Sequence, residues 1–194
     1  MVHDMTPLLQ IVIASTRPGR VGLPVGEWVA QAATSHGAFD VELVDLKQVD
    51  LPLLDEPNHP RQRRYEHDHT KAWSRRVEAA DAFVFVTCEY NFGMPAPLKN
   101  AIDYLNQEWA YRPAAICSYG GVSAGLRASA QLKQVLQAVS VPVIQPAFSI
   151  PFVKQFISDD GQRFEPNDVL RDAAPPLFDE LARWEQALRP LRAR

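Results

Sequence analysis

A chain of 194 residues with 46% apolar residues is near the usual length of one domain and can bury a sizeable core. Its formal net charge of -3 gives no basic face for nucleic acid, and no apolar run approaches the roughly 20 residues that a membrane helix needs. The start of the chain lacks a basic segment followed by an apolar one, which argues against a secretory signal. Cys88 and Cys117 form no spaced framework, as expected of a reduced, cytoplasmic protein.

Residues 8–14 are mostly apolar and β-branched, which fits a strand covered on both faces. A polar loop, 15–22, follows. Over 21–33 the spacing turns helical, with Val25, Trp28, Val29 and Ala32 on one face. Residues 39–46 alternate, as a less buried strand does. The stretch 51–69, with prolines and mixed charges, is too long to be only a connection and is a candidate interface or lid. Trp73, Val77 and Ala80 are spaced for a helix of about two or three turns.

The apolar run 82–86 predicts a buried strand that empties into a turn through Asn91, Gly93 and Pro95. A helix over 97–105 comes next, with Leu98, Ile102 and Leu105 inward; proline suits a helix start because its missing N–H has no intrahelical partner there. Residues 113–117 begin another strand, and 124–139 form a periodic helix with Leu132, Val135, Leu136 and Val139 inward. A short last strand is expected at 141–144, and 146–164 has no clear period. The last helix spans 166–188, interrupted or entered again at Pro175 and Pro176, with Leu177, Leu181 and Trp184 among its apolar positions.

This rhythm is β-α repeated about five times, which implies a parallel sheet with helices on both faces. It predicts one α/β domain over residues 1–194, a flavodoxin-like three-layer sandwich with five parallel strands in the order 2-1-3-4-5. Ligands in such sheets bind outside the carboxyl ends of the strands.

Three loops face that edge. In the first, Ser15 and Thr16 offer hydroxyls, Arg17 and Arg20 offer fixed charge, and Gly19 and Gly22 permit a tight turn. A helix start follows, whose free N–H groups favour an anion, so the loop can cradle a phosphate; the alternative is a polar turn with solvated arginines. Neither the P-loop pattern nor the dinucleotide fingerprint is present. The loop after the third strand supplies Glu89, Tyr90 and Asn91. Its backbone can bond the edge of a flat heterocycle against Tyr90 or Phe92, or Asn91 can simply bond its own turn. The loop after the fourth strand, with Ser118, Tyr119, Gly120, Gly121, Ser123 and Gly125, permits close backbone approach to a ligand or is merely a flexible turn. The strand order brings all three together.

Other residues have simpler readings. His67, Asp68 and His69, with His59 nearby, form either a metal site or a solvated loop. Cys88 is either redox-active or packing. No Arg follows either cysteine at the sixth position, where Met94 and Ser123 stand, so there is no phosphatase loop. Arg61, Arg63 and Arg64 form a solvated or intersubunit face. Trp28, Trp73 and Trp184 sit at helical core spacing, whereas Trp109 has no evident place.

From Ile11 to the last helix the chain resembles the NADPH-dependent FMN reductase family, a flavodoxin-like group with quinone, azo-dye and chromate reductases among its members. The likeness rests on Ser15-Thr16-Arg17-Pro18-Gly19-Arg20, on Glu89-Tyr90-Asn91 with Pro95 and Leu98-Lys99-Asn100-Ala101-Ile102-Asp103, and on Ser118-Tyr119-Gly120-Gly121 with Ser123 and Gly125. The resemblance implies that FMN places its phosphate on Ser15, Thr16, Arg17 and Arg20. It implies that the isoalloxazine lies along Glu89, Tyr90 and Asn91, that Ser118, Tyr119, Gly120 and Gly121 flank the ring and ribityl chain, and that Val21, Gly22, Cys88 and Ser123 belong to the same cofactor site. Cys88 stands where the family usually has proline, and Val21 where many members have serine.

The implied activity takes hydride from NADPH as co-substrate to FMN and on to an acceptor, be it a quinone, free flavin, azo compound or metal oxyanion. No catalytic side chain and no metal is implied. The implied assembly is a homodimer or a dimer of dimers. The rival reading is an electron carrier or flavin-binding sensor without its own NADPH activity. Such carriers tend to be more acidic than this chain.

Overall fold

The computed structural model describes residues 6–192. Five parallel strands, β1 (Leu8–Ile13), β2 (Asp40–Asp45), β3 (Ala82–Cys88), β4 (Ala114–Tyr119) and β5 (Phe148–Ile150), pair in the order β2-β1-β3-β4-β5. Six helices connect or follow them: α1 (Gly22–His36), α2 (Leu46–Val49), α3 (Asp68–Glu78), α4 (Ala96–Asp103), α5 (Leu126–Ala138) and α6 (Asp168–Arg192). The expected flavodoxin-like sandwich and strand order are therefore present. Every residue of central β3 is buried, because successive side chains point to opposite faces and both faces are covered. Val84 and Val86 enter the core under α1 and α6, while Phe83 and Phe85 enter the core beside α3, α4 and α5.

Several boundaries differ from the sequence reading. Strand β3 runs two residues further, so Thr87 and Cys88 pair with Ser118 and Tyr119 instead of lying in the turn. The last strand is displaced. Val143 makes only an isolated bridge to Ala114, since Pro142 has no N–H for a ladder and Pro146 diverts the chain. β5 re-forms at the same sheet edge as Phe148–Ile150, opposite Cys117, Ser118 and Tyr119.

Helix α6 runs through Pro175 and Pro176 without a break. Each interior proline costs about 3 kcal/mol; burying Leu177, Phe178 and Leu181 returns roughly 1.5–3 kcal/mol apiece. Trp184 does not join this face. It is exposed and donates its indole N–H to Glu180, while Glu185 turns inward to Arg189 and Arg192. Trp109, without a place in the sequence reading, is fully buried against Trp73, Phe83 and Phe85.

The stretch 51–69 is bonded to α4 and to the segment that follows it. Tyr104 donates its hydroxyl to Asp55 at 2.9 Å, with the Pro52 carbonyl 3.1 Å away, and Asn100 donates to that carbonyl at 2.7 Å. Buried Glu108 accepts from Tyr65 and Ser74. His67 and His69 stack on each other and face Asp55. Arg63, from the basic run, pairs with Glu78 and Glu108. Among the described residues no helix is long and apolar enough to cross a membrane.

Candidate functional site

The carboxyl ends of β1, β3 and β4 and the turn after β5 converge on a cavity of about 480 Å³, within the range of roughly 300–1,000 Å³ typical of small-molecule sites. Each wall has a local cause. Past β1, Ala14 still donates to Val86 at 3.0 Å, which anchors the first loop to the sheet and buries Ser15. The loop then closes a turn, Arg20 N–H to the Arg17 carbonyl at 3.2 Å, around Gly19 at φ 68°. Helix α1 begins with Val21 as its N-cap, no side-chain cap and no acidic residue in its first turn. Its first N–H groups are thus left for an outside acceptor. A Cβ on Gly22 would lie 2.4 Å from the Tyr119 hydroxyl, so the missing side chain lets Tyr119 lodge against the helix start.

The loop after β3 is a tight hairpin. Tyr90 and Gly93 exchange both backbone hydrogen bonds at 3.0 Å, and Asn91 and Phe92 take φ of 48° and 70°, the signs of a type I′ turn. Asparagine tolerates that region; a bulky aromatic there is rare. Phe92 is 68% exposed, and the Arg127 guanidinium lies over its ring, 4.0 Å from the centroid.

Arg127 is in turn held by Glu89, which accepts its Nε–H at 2.6 Å and its backbone N–H at 3.2 Å. Glu89 therefore serves the start of α5. Burial pushes its carboxyl up, but hydrogen bonds and charge from Arg127, with the Ala128 backbone N–H, hold it below its ordinary 4.5. A depressed carboxyl contributes stability that is complete above its unfolded value and is lost as pH falls through the folded value. The stability difference between the native chain and Glu89→Gln is expected to be constant well above the ordinary value of 4.5 and to shrink as pH falls below it. Denaturant titrations at several pH values measure it; a difference that grows on acidification would be inconsistent with this pairing.

The loop after β4 is shaped by Gly125, at φ 74°, where a Cβ would lie 2.8 Å from the Tyr119 carbonyl oxygen. The turn after β5 is bonded to the same loop: Phe152 donates to the Gly121 carbonyl and Val153 to the Gly120 carbonyl, both at 3.0 Å.

Of the residues singled out in the sequence, Ser15, Arg17, Arg20, Val21, Cys88, Tyr90, Tyr119, Gly120 and Gly121 line the cavity. Ser15 and Tyr90 share a hydrogen bond at 2.9 Å that ties the first loop to the third. Burial raises both phenols, Tyr90 and Tyr119, and the neighbouring Cys88 thiol adds to it, so both stay protonated as donors. Thr16, Glu89 and Asn91 lie instead on an adjoining depression with Arg17, Tyr90, Pro95 and Pro97. Ser118 is buried in the sheet, Gly22 is buried under Tyr119, and Ser123 donates to Glu89 at 3.4 Å.

Arg20 departs most from the sequence reading. It is not a free cation but forms a buried ion pair with Asp45, while Arg17 has no ion-pair partner among the described residues. Sequence reasoning missed the fourth wall, Phe152, Val153, Lys154 and Gln155. Its stretch has no period, and the one available signal was a lysine after a proline-led turn.

The profile of the family described as NADPH-dependent FMN reductase matches residues 7–155. An NAD(P)H-dependent FMN reductase of Schizosaccharomyces pombe is 40% identical over 151 residues, 76% of this chain and 75% of that protein. One of Saccharomyces cerevisiae is 39% identical over 145 residues, 69% of this chain and 75% of that protein. A quinone reductase of Pseudomonas putida is 28% identical over 181 residues, 90% and 92% of the two chains. Among solved structures, the flavoenzyme NAD(P)H:(acceptor) oxidoreductase FerB of Paracoccus denitrificans superposes with a TM-score of 0.75 at 21% identity, covering 94% of this chain and 98% of its own. That last likeness speaks to the fold. The family profile spans all the loops that wall the cavity, and with it this chain belongs to the NADPH-dependent FMN reductase family.

Proposed function

We propose that the chain, acting as one domain over residues 1–194, is an NAD(P)H-dependent flavin oxidoreductase that holds FMN in the cavity between the three loops and uses NADPH as hydride donor. The observation that carries the site is an uncapped helix start beside Arg17, a cation with no ion-pair partner among the described residues. This donor set fits a phosphate ester. Ser15, Arg17, Arg20 and the N–H groups at Val21 and Gly22 would hold the phosphate, with Thr16 at the outer edge. Gly121 has nothing within 4 Å of where a Cβ would stand, so backbone there can approach a flat ring closely. Tyr90, Asn91, Tyr119 and Gly120 would flank the ring and its chain, and Cys88 would floor the cavity. In this reading Glu89, Ser118 and Ser123 support the walls.

Bound FMN supplies the hydride chemistry, and the protein supplies binding, orientation and electrostatics. No side chain is assigned as a catalytic acid or base. The acceptor class spans quinones, free flavins, azo compounds and metal oxyanions, and the proposed compartment is the cytoplasm. The test is to mix purified protein, FMN and NADPH with menadione under air. Rapid NADPH loss is expected; none would leave a carrier.

The proposed assembly is a homodimer or a dimer of dimers. Exposed Leu53 and Leu54, on the strap fixed to α4, support that face as a contributor. Light scattering at micromolar concentration is expected to give two or four chain masses; a clean monomer overturns the assembly.

Asn91→Ala is expected to lower NADPH turnover about ten-fold while FMN still co-purifies. The residue sits on the hairpin and is not itself one of the proposed phosphate donors, and alanine tolerates its φ of 48° poorly. A colourless variant that regains full turnover with excess FMN would make Asn91 an anchor instead.

A further inference from the structure

Lys154 stands on the wall that sequence reasoning missed. The chain leaves β5 at Ile150, and Phe152 takes φ 47°. Val153 donates to the Gly120 carbonyl and buries its side chain in the core. A short helical turn over Val153–Phe156 follows, closed by the Gln155 N–H on the Phe152 carbonyl at 2.9 Å. The backbone of Lys154 is therefore held between an anchored residue and a closed turn. Further on, Ile157, Gly161 and Gln162 line an outer depression together with Arg17, Gly19 and Arg20. The segment thus runs from the Gly120 wall to the first loop. Lys154 lies in it between the two contacts, exposed and lining the cavity.

Like Arg17, Lys154 has no ion-pair partner among the described residues. Arg20, the third cation on the cavity, is paired with Asp45. No carboxylate lines the cavity, whereas the outer depression on the other side of the first loop carries Glu27 and Asp160. Of the two hollows beside that loop, the inner one is therefore the one that favours an anion. A phosphate monoester carries about −1.5 to −2 charges at neutral pH. The start of α1 supplies roughly +0.5 and Arg17 one full charge, so the first loop alone leaves a dianion short of counter-charge. A second free cation on another wall of the same cavity makes up the difference.

We propose that Lys154 is the second cation of the phosphate cradle. Its ammonium pairs with the FMN phosphate from the turn after β5, while Arg17 and the start of α1 hold that phosphate from the first loop. The inference rests on the FMN assignment proposed above. An ammonium is a point charge on a flexible stem, so it reaches the phosphate by side-chain rotation and leaves the anchored backbone where it is. Because Lys154 is exposed, its contribution falls between that of a surface ion pair and that of a buried charge-assisted hydrogen bond.

The experiment compares FMN and riboflavin binding to apoprotein by flavin fluorescence quenching, since riboflavin has the same ring without the phosphate. The native chain is expected to prefer FMN; equal affinities would overturn the FMN assignment and this inference with it. Given that preference, Lys154→Met is expected to weaken FMN about five-fold with riboflavin unchanged, and Lys154→Glu to weaken FMN further. Lys154→Arg keeps the charge and is expected to hold FMN affinity within about two-fold of the native chain. Added salt is expected to weaken FMN binding less in Lys154→Met than in the native chain, because one screened pair is already gone. Unchanged FMN affinity in Lys154→Met would remove Lys154 from the cradle, and equal losses for FMN and riboflavin would place it against the ring or in the wall's own structure. A raised NADPH KM at saturating FMN, with FMN affinity unchanged, would assign the ammonium to the co-substrate's phosphates. Each of these three outcomes overturns the proposal while leaving the FMN assignment standing.

Discussion

Arg17→Ala is expected to weaken FMN binding by about ten-fold or more, because a hydrogen bond to a charged group is worth roughly 1.5–3 kcal/mol. Arg20 cannot stand in for it. Its charge is already cancelled by Asp45, with which it forms a buried pair, so the first loop presents one uncompensated cation rather than the two its sequence suggests. Arg17 also sits where the principal cavity meets the adjoining depression under Tyr90 and Pro97. A phosphate there would cover it, and the contact would strengthen as water leaves. Titrating apoprotein with FMN and with riboflavin reads the effect: FMN affinity falls and riboflavin affinity holds. Unchanged FMN affinity would remove Arg17 from the site.

The contrast between Arg17 and Arg20 shows how far the sequence reaches into the site. The β-α rhythm exposed the sheet and its order, since buried parallel strands read as apolar runs and helices as 3.6-residue spacing. From that order followed which loops meet, and Ser15, Tyr90, Tyr119 and Gly121 do line one cavity. What each polar side chain bonds does not follow from order. Arg20 is captured by Asp45, 25 residues away in the chain, and Glu89 by Arg127, 38 residues away. Both partners are ordinary charges in the sequence, and only packing brings them within reach. The wall at Phe152 was hidden for another reason: its conformation, φ 47°, is set by hydrogen bonds to Gly120 and Gly121 rather than by any pattern of its own.

Trp109 had no place in the sequence reading, yet Trp109→Ala is expected to have the largest effect on stability, a loss of about 3–5 kcal/mol. The ring is fully buried and packs against Trp73, Phe83 and Phe85, whose ring centroids lie 5.1–6.2 Å away. Emptying that volume leaves a cavity between β3 and α4, which close-packed neighbours fill only in part. The indole adds a polar contribution. Helix α4 has no basic residue in its last turn, and two tryptophans serve its carbonyls instead: Trp73 donates to Ala101 at 2.8 Å and Trp109 to Ile102 at 3.2 Å. Truncating Trp109 therefore also removes one of the hydrogen bonds to the Ile102 carbonyl, which keeps the Leu105 N–H at 3.2 Å. Trp109→Phe separates the two contributions, because it keeps most of the packing and loses the N–H; its expected loss is about 1–3 kcal/mol. Urea unfolding of the three proteins without flavin measures both differences. If Trp109→Ala and Trp109→Phe cost the same, the hydrogen bond to Ile102 dominates and packing around the ring contributes little. If Trp109→Ala costs under about 1 kcal/mol, the ring is not the close-packed centre of that layer.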